Sequence, residues 1–410
     1  MSTIPNPAQL KLELSVKGVR IDPTLRNVSG ATGAALVRGA STRGVQLLLP
    51  EAVIASVPVD EETAGASPFL LSGQNGECTL QRNGDQVQVR VLPQPSFYDR
   101  TTSTGRPMSQ VAGVYGSFVA INPAAACGYS LRGAPCRFCR VGTRVSQEDG
   151  FPMSVAEVLE VVRATFNEGV ADFVYFNTGY FDPEDGGIEF LEPYIRAVKR
   201  HFDTFIAVQL HPPRTNRWID RTYARGVDAL SYSVEIHDPA SLEKHCPGRA
   251  RYLGRGRYYE ALQYAATIFP SGTIWSDLIV GLEPIESTRQ GIDALTAIGV
   301  LPVLSLYRPL SGPQLRQVQL PEIDDLRSTF AHLYHAVCDA KINLRWMRDL
   351  SFAITPLEAR FFAGDHARFA VAVQHFYRSR LGSLAARNLA RLRRRLRVRE
   401  VSDSFDAAHL

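Results

Sequence analysis

Cys127, Cys136 and Cys139 fall in one 13-residue stretch, CGYSLRGAPCRFC, and make up half of the chain's 6 cysteines. Three thiolates are one short of the four that normally saturate a cubane iron–sulfur cluster. An iron left without a protein ligand can bind something else, so the triad reads as a reactive centre rather than an electron wire. Other readings start from the same residues. A disulfide with a spare thiol belongs to an oxidising compartment, and the sequence shows no charged n-region followed by an apolar h-region, which leans the cysteines towards metal or catalysis. Structural zinc wants a fourth ligand that the local sequence lacks, although a distant residue such as Cys246 would serve.

The elements that must position these thiols are legible downstream of about residue 110. Apolar β-branched runs alternate there with helical patterns, the signature of βα units and a parallel sheet. The first strand is expected over Val111 to Ile121 and runs into the cysteine loop. A helix follows from Ser154, with Glu157 at capping-box spacing. Further strands are ADFVYF, TFIAVQL, DALSYSVEI, TIWSDLIVG and VLPVLSL, and a helix runs from Glu189 to Arg200. Six strands each followed by a helix predict a partial (β/α)6 barrel of the TIM type, an α/β fold. In βα barrels chemistry gathers at the C-terminal ends of the strands. The cysteines, Asn177, His211, Glu235, Glu283 and Arg308 all fall at such ends.

With these features in place, the chain resembles the radical S-adenosylmethionine (SAM) superfamily, in a biotin-synthase-like branch. The motif Cys127-x8-Cys136-x-Phe138-Cys139 matches the superfamily's C-x3-C-x-φ-C, φ being aromatic, with a first spacing five residues longer. NTGYFDP stands where the family has its glycine-rich motif, departing from the usual G-G-E wording, and SVEIHDP, KHCPGRA, GRYYEAL, IVGLEP and LYRPLSG extend the match over roughly residues 95 to 320. The resemblance implies that the three thiolates hold a [4Fe–4S] cluster and that SAM chelates the fourth iron. It implies reductive cleavage of SAM, as co-substrate or cofactor, to a 5′-deoxyadenosyl radical. That radical takes a hydrogen atom from a small-molecule biosynthetic substrate, leading to dehydrogenation, rearrangement or C–C bond chemistry. The cofactor supplies the difficult chemistry while the protein orients groups and excludes water.

For the cofactor, the resemblance puts Phe138 near the adenine and Asn177, Thr178 and Gly179 at the SAM amino-acid moiety. Glu235 ends an apolar strand, an expensive place for a carboxylate unless it binds SAM or substrate or is ion-paired. Glu283 and Arg308 are cofactor-binding candidates too, with pairing to one another across adjacent strand ends as the structural reading. His211, Tyr180, Glu235 and Cys246 are the catalytic candidates. A structural reading stands beside each: a core histidine, as for His237, an aromatic packing residue, an ion pair, and a small buried thiol. Gly128 to Pro135, the extra loop of the lengthened spacing, is expected to shape the substrate or electron-donor side of the site.

The rest of the sequence bounds the answer. Outside the triad only Cys78, Cys246 and Cys338 remain, too scattered to ligate a second cluster. The composition, 45% hydrophobic and 21% charged, is that of an ordinary globular protein, and no apolar run approaches the ~18 residues of a membrane span. A net charge of +4 does not argue for nucleic acid, and a cytoplasmic setting is expected. Residues 1–95 carry LVRGA, GVQLLLP and a QVQVRVL hairpin after Asn83-Gly84, and read as a small β-rich N-terminal domain without a D-x-H-x-x-G cobalamin motif. Residues 96–320 form the barrel, entered through a linker from Pro93 to Met108, and 321–410 a helical extension. The last helix lines up Leu381, Leu384, Ala385, Leu389, Leu392 and Leu396, with arginines on its other sides. It is expected to dock on the barrel, and a basic amphipathic helix can also bind anionic partners or a membrane surface. The partners implied are a small-molecule substrate and an electron donor such as a flavodoxin or ferredoxin. The alternative is a zinc- or cluster-stabilised barrel with a non-radical binding or scaffold role.

Overall fold

The computed structural model describes residues 6–23, 25, 44–59, 64–74, 77–124, 126–139, 152–181, 184–308, 320–365, 373, 376 and 380–400. The LVRGA stretch at 36–40 and the PLSG of LYRPLSG at 309–312 lie outside the described residues.

A helix, Pro7–Lys17, precedes the first sheet and is capped by the Asn6 carboxamide, which accepts from the N–H groups of Ala8 and Gln9. The sheet comprises β1 (Arg20–Ile21), β2 (Gly44–Leu48), β3 (Ile54–Pro58), β4 (Leu70–Gln74), β5 (Glu77–Arg82) and β6 (Asp85–Val91). Its order is β1-β4-β5-β6-β2-β3. The Asn83-Gly84 turn joins β5 to β6 with both residues at positive φ, 48° and 92°, as a two-residue hairpin loop requires. A core of its own, including Leu14, Leu47, Val57, Phe69 and Leu80, holds this sheet to the helix.

The second sheet is the barrel. It comprises β7 (Ala112–Val114), β8 (Phe118–Ile121), β9 (Phe173–Asn177), β10 (Phe205–Leu210), β11 (Ala229–Tyr232), β12 (Ile274–Val280), β13 (Leu301–Leu306) and β14 (Ala353–Ile354), adjacent in that order. β8 to β13 are parallel, and these are the six expected strands. Side chains alternate across each strand. Val119, Val174, Val208, Leu278 and Leu304 face the surrounding helices, whereas Phe118, Tyr175, Ala207 and Val303 face inwards with Tyr115 and Phe352. Phe118, Tyr175, Phe352 and Trp275 line a cavity of about 180 Å³ in the floor of the barrel. Above it Gln209 bonds Tyr175 and Asp277 at 2.8 Å each, and the Ser233 hydroxyl joins them.

Three expectations are corrected. The stretch 111–121 is a hairpin, β7 antiparallel to β8, not one strand. Gly116 turns the chain at φ 79° and lies so close to the Asp349 carbonyl that a Cβ there would stand 2.4 Å from it. The C-terminal part supplies a strand, β14, antiparallel to β13, besides its helices. In the last helix, Arg380–Glu400, the leucines at 381, 384, 389, 392 and 396 are exposed, at 45% to 77%. The side that meets the barrel carries buried Ala386 and the arginines: Arg387 and Arg391 pair with Asp203, and Arg394 with Asp228 at 2.7 Å. Carboxylates on the barrel surface thus orient this helix more than its apolar stripe does. Among the described residues no helix is long and apolar enough to cross a membrane.

The sheet does not close on itself: β7 and β14 are its two edges. The N-terminal sheet and helix cover the gap. Gln46 of β2 donates to the Val114 carbonyl at one edge (2.9 Å), and the Ser56 N–H of β3 donates to the Ser351 carbonyl beside the other (2.6 Å). Lys11, fully buried, bridges to the Leu350 carbonyl and to Glu358 at 2.6 and 2.7 Å.

The helix Val155–Glu168 starts in the capping box expected of Ser154 and Glu157. Burial would raise the Glu157 pKa, but hydrogen bonds from Thr104, the Ser154 backbone and Arg106 outweigh it and hold the carboxyl at about 2. A depressed acid stabilises the fold above its unfolded pKa of about 4.3 and loses that contribution as the pH falls towards the folded value. Glu157→Gln should therefore cost about 2 kcal/mol at pH 7 in denaturant melts, and the gap to the parent chain should shrink as the pH falls below about 4.

Candidate active site

Cys127 stands where β8 gives way to a helical turn, Gly128–Leu131. The loop after β9 closes directly on it. Tyr180 donates its N–H to the Cys127 Sγ at 3.2 Å, and Gly128 donates its N–H to the Tyr180 carbonyl at 2.8 Å. Between these bonds Gly179 is pressed onto the cysteine: a Cβ at 179 would lie 2.6 Å from both Cα and Cβ of Cys127 and 3.1 Å from its sulfur. Only glycine fits there, for reasons of space rather than of backbone angle.

The extra residues of the first spacing have a visible use. Tyr129, fully buried, stacks on Tyr180 with ring centres 4.1 Å apart and planes 6° apart. On its other side lies Gly248, where a Cβ would come within 2.7 Å of the Tyr129 ring. Tyr252 lies beside this pair, its ring centre 6.1 Å from that of Tyr129 and 6.4 Å from that of Tyr180, and His211 meets Tyr129 edge-on at 5.1 Å. The tip of the loop, Leu131, is 67% exposed.

Cys136 is buried with Ile236, Leu242, Cys246, Ile279, Leu282 and Tyr307, and Phe138 and Cys139 pack against this group. The Arg137 N–H fixes the segment to the His245 carbonyl at 2.9 Å, and the Cys139 N–H bonds the Cys136 carbonyl at 3.1 Å. Burial raises the Cys127 thiol, the N–H groups of Tyr180 and Tyr129 pull it down, and Cys139 and Cys136 add to the rise. Among the described residues no group of three Cys, His, Asp or Glu side chains stands ready to hold a metal ion.

Two further features fit a bound cluster and its organic ligand. The shell around Cys136 and Cys139 is apolar, the kind of surrounding that limits solvent access and helps set the potential of a cluster. Thr178, next to Gly179, has a buried hydroxyl with no hydrogen-bond partner among the described residues, a group that a polar ligand would satisfy. Asn177, buried at the end of β9, stands beside it.

Glu235 is fully buried and adopts φ 69°, a left-handed conformation that costs a non-glycine residue energy. It resumes pairing with β12 after a break in β11: its N–H bonds the Asp277 carbonyl and its carbonyl accepts from the Ile279 N–H, both at 2.8 Å. Its carboxylate pairs with Arg249 at 3.3 Å, and Arg249 also donates to the Ser233 carbonyl and lies 5.3 Å above the Tyr258 ring. Burial would lower the Arg249 pKa, but Tyr258 and the Cys136 and Cys246 thiols raise it above its ordinary value. Arg249 and Tyr258 lie in KHCPGRA and GRYYEAL, stretches visible in the sequence, yet nothing local marks them as site residues. Tyr258 in turn bonds the His211 Nδ1 at 2.6 Å. One chain of contacts thus joins the thiols, Gly179, Tyr180, His211, Arg249 and Glu235.

Two candidates leave this group. Glu283 accepts the N–H groups of His237 and Asp238 at 2.8 and 2.7 Å and the Thr288 hydroxyl at 3.1 Å. Burial raises its pKa and these bonds oppose the rise. It organises the loop after β11 and does not pair with Arg308, because Arg308 turns to the N-terminal domain, donating to the Ser56 carbonyl at 3.1 Å. His237 bonds the Tyr259 hydroxyl at 2.7 Å.

No family model matches the chain. It is 23% identical over 317 residues to bacteriochlorophyllide c C-7(1)-hydroxylase of Chlorobaculum limnaeum, covering 66% of this chain and 78% of that protein. Among solved structures it is similar to methylornithine synthase (PylB), with a TM-score of 0.45 and 14% identity over 61% of this chain and 70% of that one. It is also similar to Streptococcus suis SuiB bound to S-adenosylmethionine, with a TM-score of 0.43 and 12% identity over 56% of this chain and 49% of that one.

Arg249→Met would remove the guanidinium that faces the buried Glu235 carboxylate, at a cost of about 3–5 kcal/mol in denaturant unfolding. The double variant Glu235→Gln/Arg249→Met should recover more than half of that loss. No recovery would mean that the two residues are held independently.

Proposed function

We infer that this chain is a radical SAM enzyme acting on a small molecule, with Cys127, Cys136 and Cys139 as the cluster ligands. The observation that carries the reading is the joint between two strand ends: the Cys127 loop after β8 and the Thr178–Gly179 loop after β9 are in van der Waals contact. A cluster ligand and a polar, side-chain-free ledge are thereby set next to each other. When bound, a [4Fe–4S] cluster and SAM supply a 5′-deoxyadenosyl radical able to take a hydrogen atom from a carbon.

The chain's own residues do the rest. The apolar group around Cys136 keeps water from the thiolates. Gly179 lets the loop after β9 close directly on Cys127, and Thr178 and Asn177 offer polar groups to an amino-acid moiety. Phe138 packs beside Cys136 and Cys139 and offers its ring to the adenine. Arg249, held by Glu235, places a positive charge within the field of Cys136, where it favours a negative cluster or a ligand carboxylate. In this assignment Glu235 acts through Arg249 as a positioning residue, and His211 acts likewise through Tyr258. Tyr180 and Cys246 serve by packing, Tyr180 in the ring stack and Cys246 behind Cys136. The relative's name specifies a hydroxylase; breaking a C–H bond is the step such a reaction shares with other radical chemistry, and we extend that step alone to this chain.

Reconstitution with iron and sulfide under anaerobic conditions should load on the order of four irons per chain with the brown absorbance of a cubane. Dithionite and SAM should then release 5′-deoxyadenosine. A colourless, zinc-loaded chain would defeat the reading, as would a loaded cluster that leaves SAM intact under every reductant. Cys127→Ala/Cys136→Ala/Cys139→Ala should abolish cluster and turnover together.

Gly179→Ala forces its new methyl into Cys127, so iron uptake should fall several-fold while the far-ultraviolet circular dichroism stays that of the parent. Normal iron uptake in this variant would show that the two loops are not one site.

A further inference from the structure

Arg308 follows the last parallel strand, β13, and is 8% exposed. Its Nη1 donates to the Ser56 carbonyl in the N-terminal sheet, while Nε and Nη2 are buried and have no hydrogen-bond partner among the described residues. Those two nitrogens lie side by side on one edge of the guanidinium plane, the edge that offers parallel N–H groups to both oxygens of a carboxylate. Burial pulls its pKa down to about 10, and among the described residues no acidic neighbour opposes that. Residues 309 to 320, which follow directly, include no Asp or Glu.

A second polar group meets the same backbone residue. Ser351 is fully buried, its hydroxyl has no hydrogen-bond partner among the described residues, and its carbonyl accepts the N–H of the same Ser56 whose carbonyl holds Arg308. The junction between barrel and N-terminal domain therefore gathers an open guanidinium edge and an open hydroxyl around one backbone residue. A buried charge left unbalanced is costly, and a site that keeps one has a use for it. One guanidinium balances one negative charge, which suits a carboxylate better than a doubly charged phosphate.

We propose that Arg308, with Ser351 beside it, binds a carboxylate group of the substrate, so that the substrate is a carboxylic acid seated against the N-terminal domain. The word substrate rests on the radical SAM reading; the anion site itself does not. SAM carries a carboxylate as well, but on the same carbon as its amino group, which that reading sets at Thr178 and Gly179, just past the end of β9. In the sheet β10, β11 and β12 separate β9 from β13. The N-terminal domain then does two things: it covers the open side of the barrel, and through Ser56 it aims the residue that selects the substrate's charge.

Arg308→Met removes the unbalanced charge and keeps most of the volume. In chloride buffer its melting temperature should lie about 2 °C or more above that of the parent chain. A lower melting temperature would mean that the guanidinium is satisfied within the chain, and would overturn the proposal. Sodium propionate replacing sodium chloride at equal ionic strength should raise the parent's melting temperature by about 2 °C and leave that of Arg308→Met unmoved. Equal shifts in both proteins, or in neither, would overturn it. SAM affinity of the reconstituted proteins, measured by equilibrium dialysis, separates the two sources of carboxylate: a tenfold loss in Arg308→Met would give the guanidinium to SAM and overturn the substrate assignment. If the cluster-loaded parent chain releases no 5′-deoxyadenosine, the radical reading fails, while a propionate shift confined to the parent still establishes the anion site.

Discussion

An open barrel has two edges, and the structure depends on how these are covered. Eight strands with β7 at one end and β14 at the other leave unpaired backbone groups on both, a liability in any sheet. Here a second small domain lies along the gap, bonding Val114 on one side and Leu350 and Ser351 on the other. The Lys11–Glu358 pair is fully desolvated at that seam, and its mutual attraction is repaid only while both surfaces stay in register. The domain thus acts as the missing wall of the barrel. This explains why its helix, nearly featureless as an amphipathic pattern, is buried along most of its length.

Closure of the wall bears on the chemistry at the mouth. On the radical reading proposed above, water and oxidants must be kept away, and a lateral opening beside the substrate would defeat that. The polar groups inside are correspondingly few and shared: Tyr175, Gln209, Ser233 and Asp277 in the lumen, then Arg249 and Glu235 above them. Ser233 belongs to both sets, its hydroxyl to the lumen and its carbonyl to Arg249. The strained backbone of Glu235 sits where β11 breaks and resumes, so the strain is held by the sheet on both sides of the residue.

Much of the candidate site could be read from the chain because its signals are local. Cys127, Cys136, Phe138 and Cys139 lie within a few residues of each other, and Asn177, Thr178 and Gly179 end a strand that alternation marks plainly. Arg249 could not be found in this way. Its partner Glu235 is fourteen residues upstream across a strand end and a short helix, and no periodicity relates them. Tyr129 was hidden inside what spacing alone shows as an insertion.

By itself the sequence determined the six parallel strands, the Ser154–Glu157 capping box, the Asn83-Gly84 hairpin and the placement of the thiols after the first parallel strand. Each follows from residues close in the chain, where side-chain period, turn chemistry and ligand spacing act directly. Tertiary structure alone decided the rest. It split residues 111–121 into a hairpin by bringing Asp349 against Gly116, recruited β14 from far downstream, and docked the last helix through arginines rather than leucines. It also turned Glu283 and Arg308 away from each other. Those outcomes are set by which surfaces remain uncovered once the strands have paired, and by which buried charges then find a partner. That information belongs to the assembled sheet and to no single stretch of the chain.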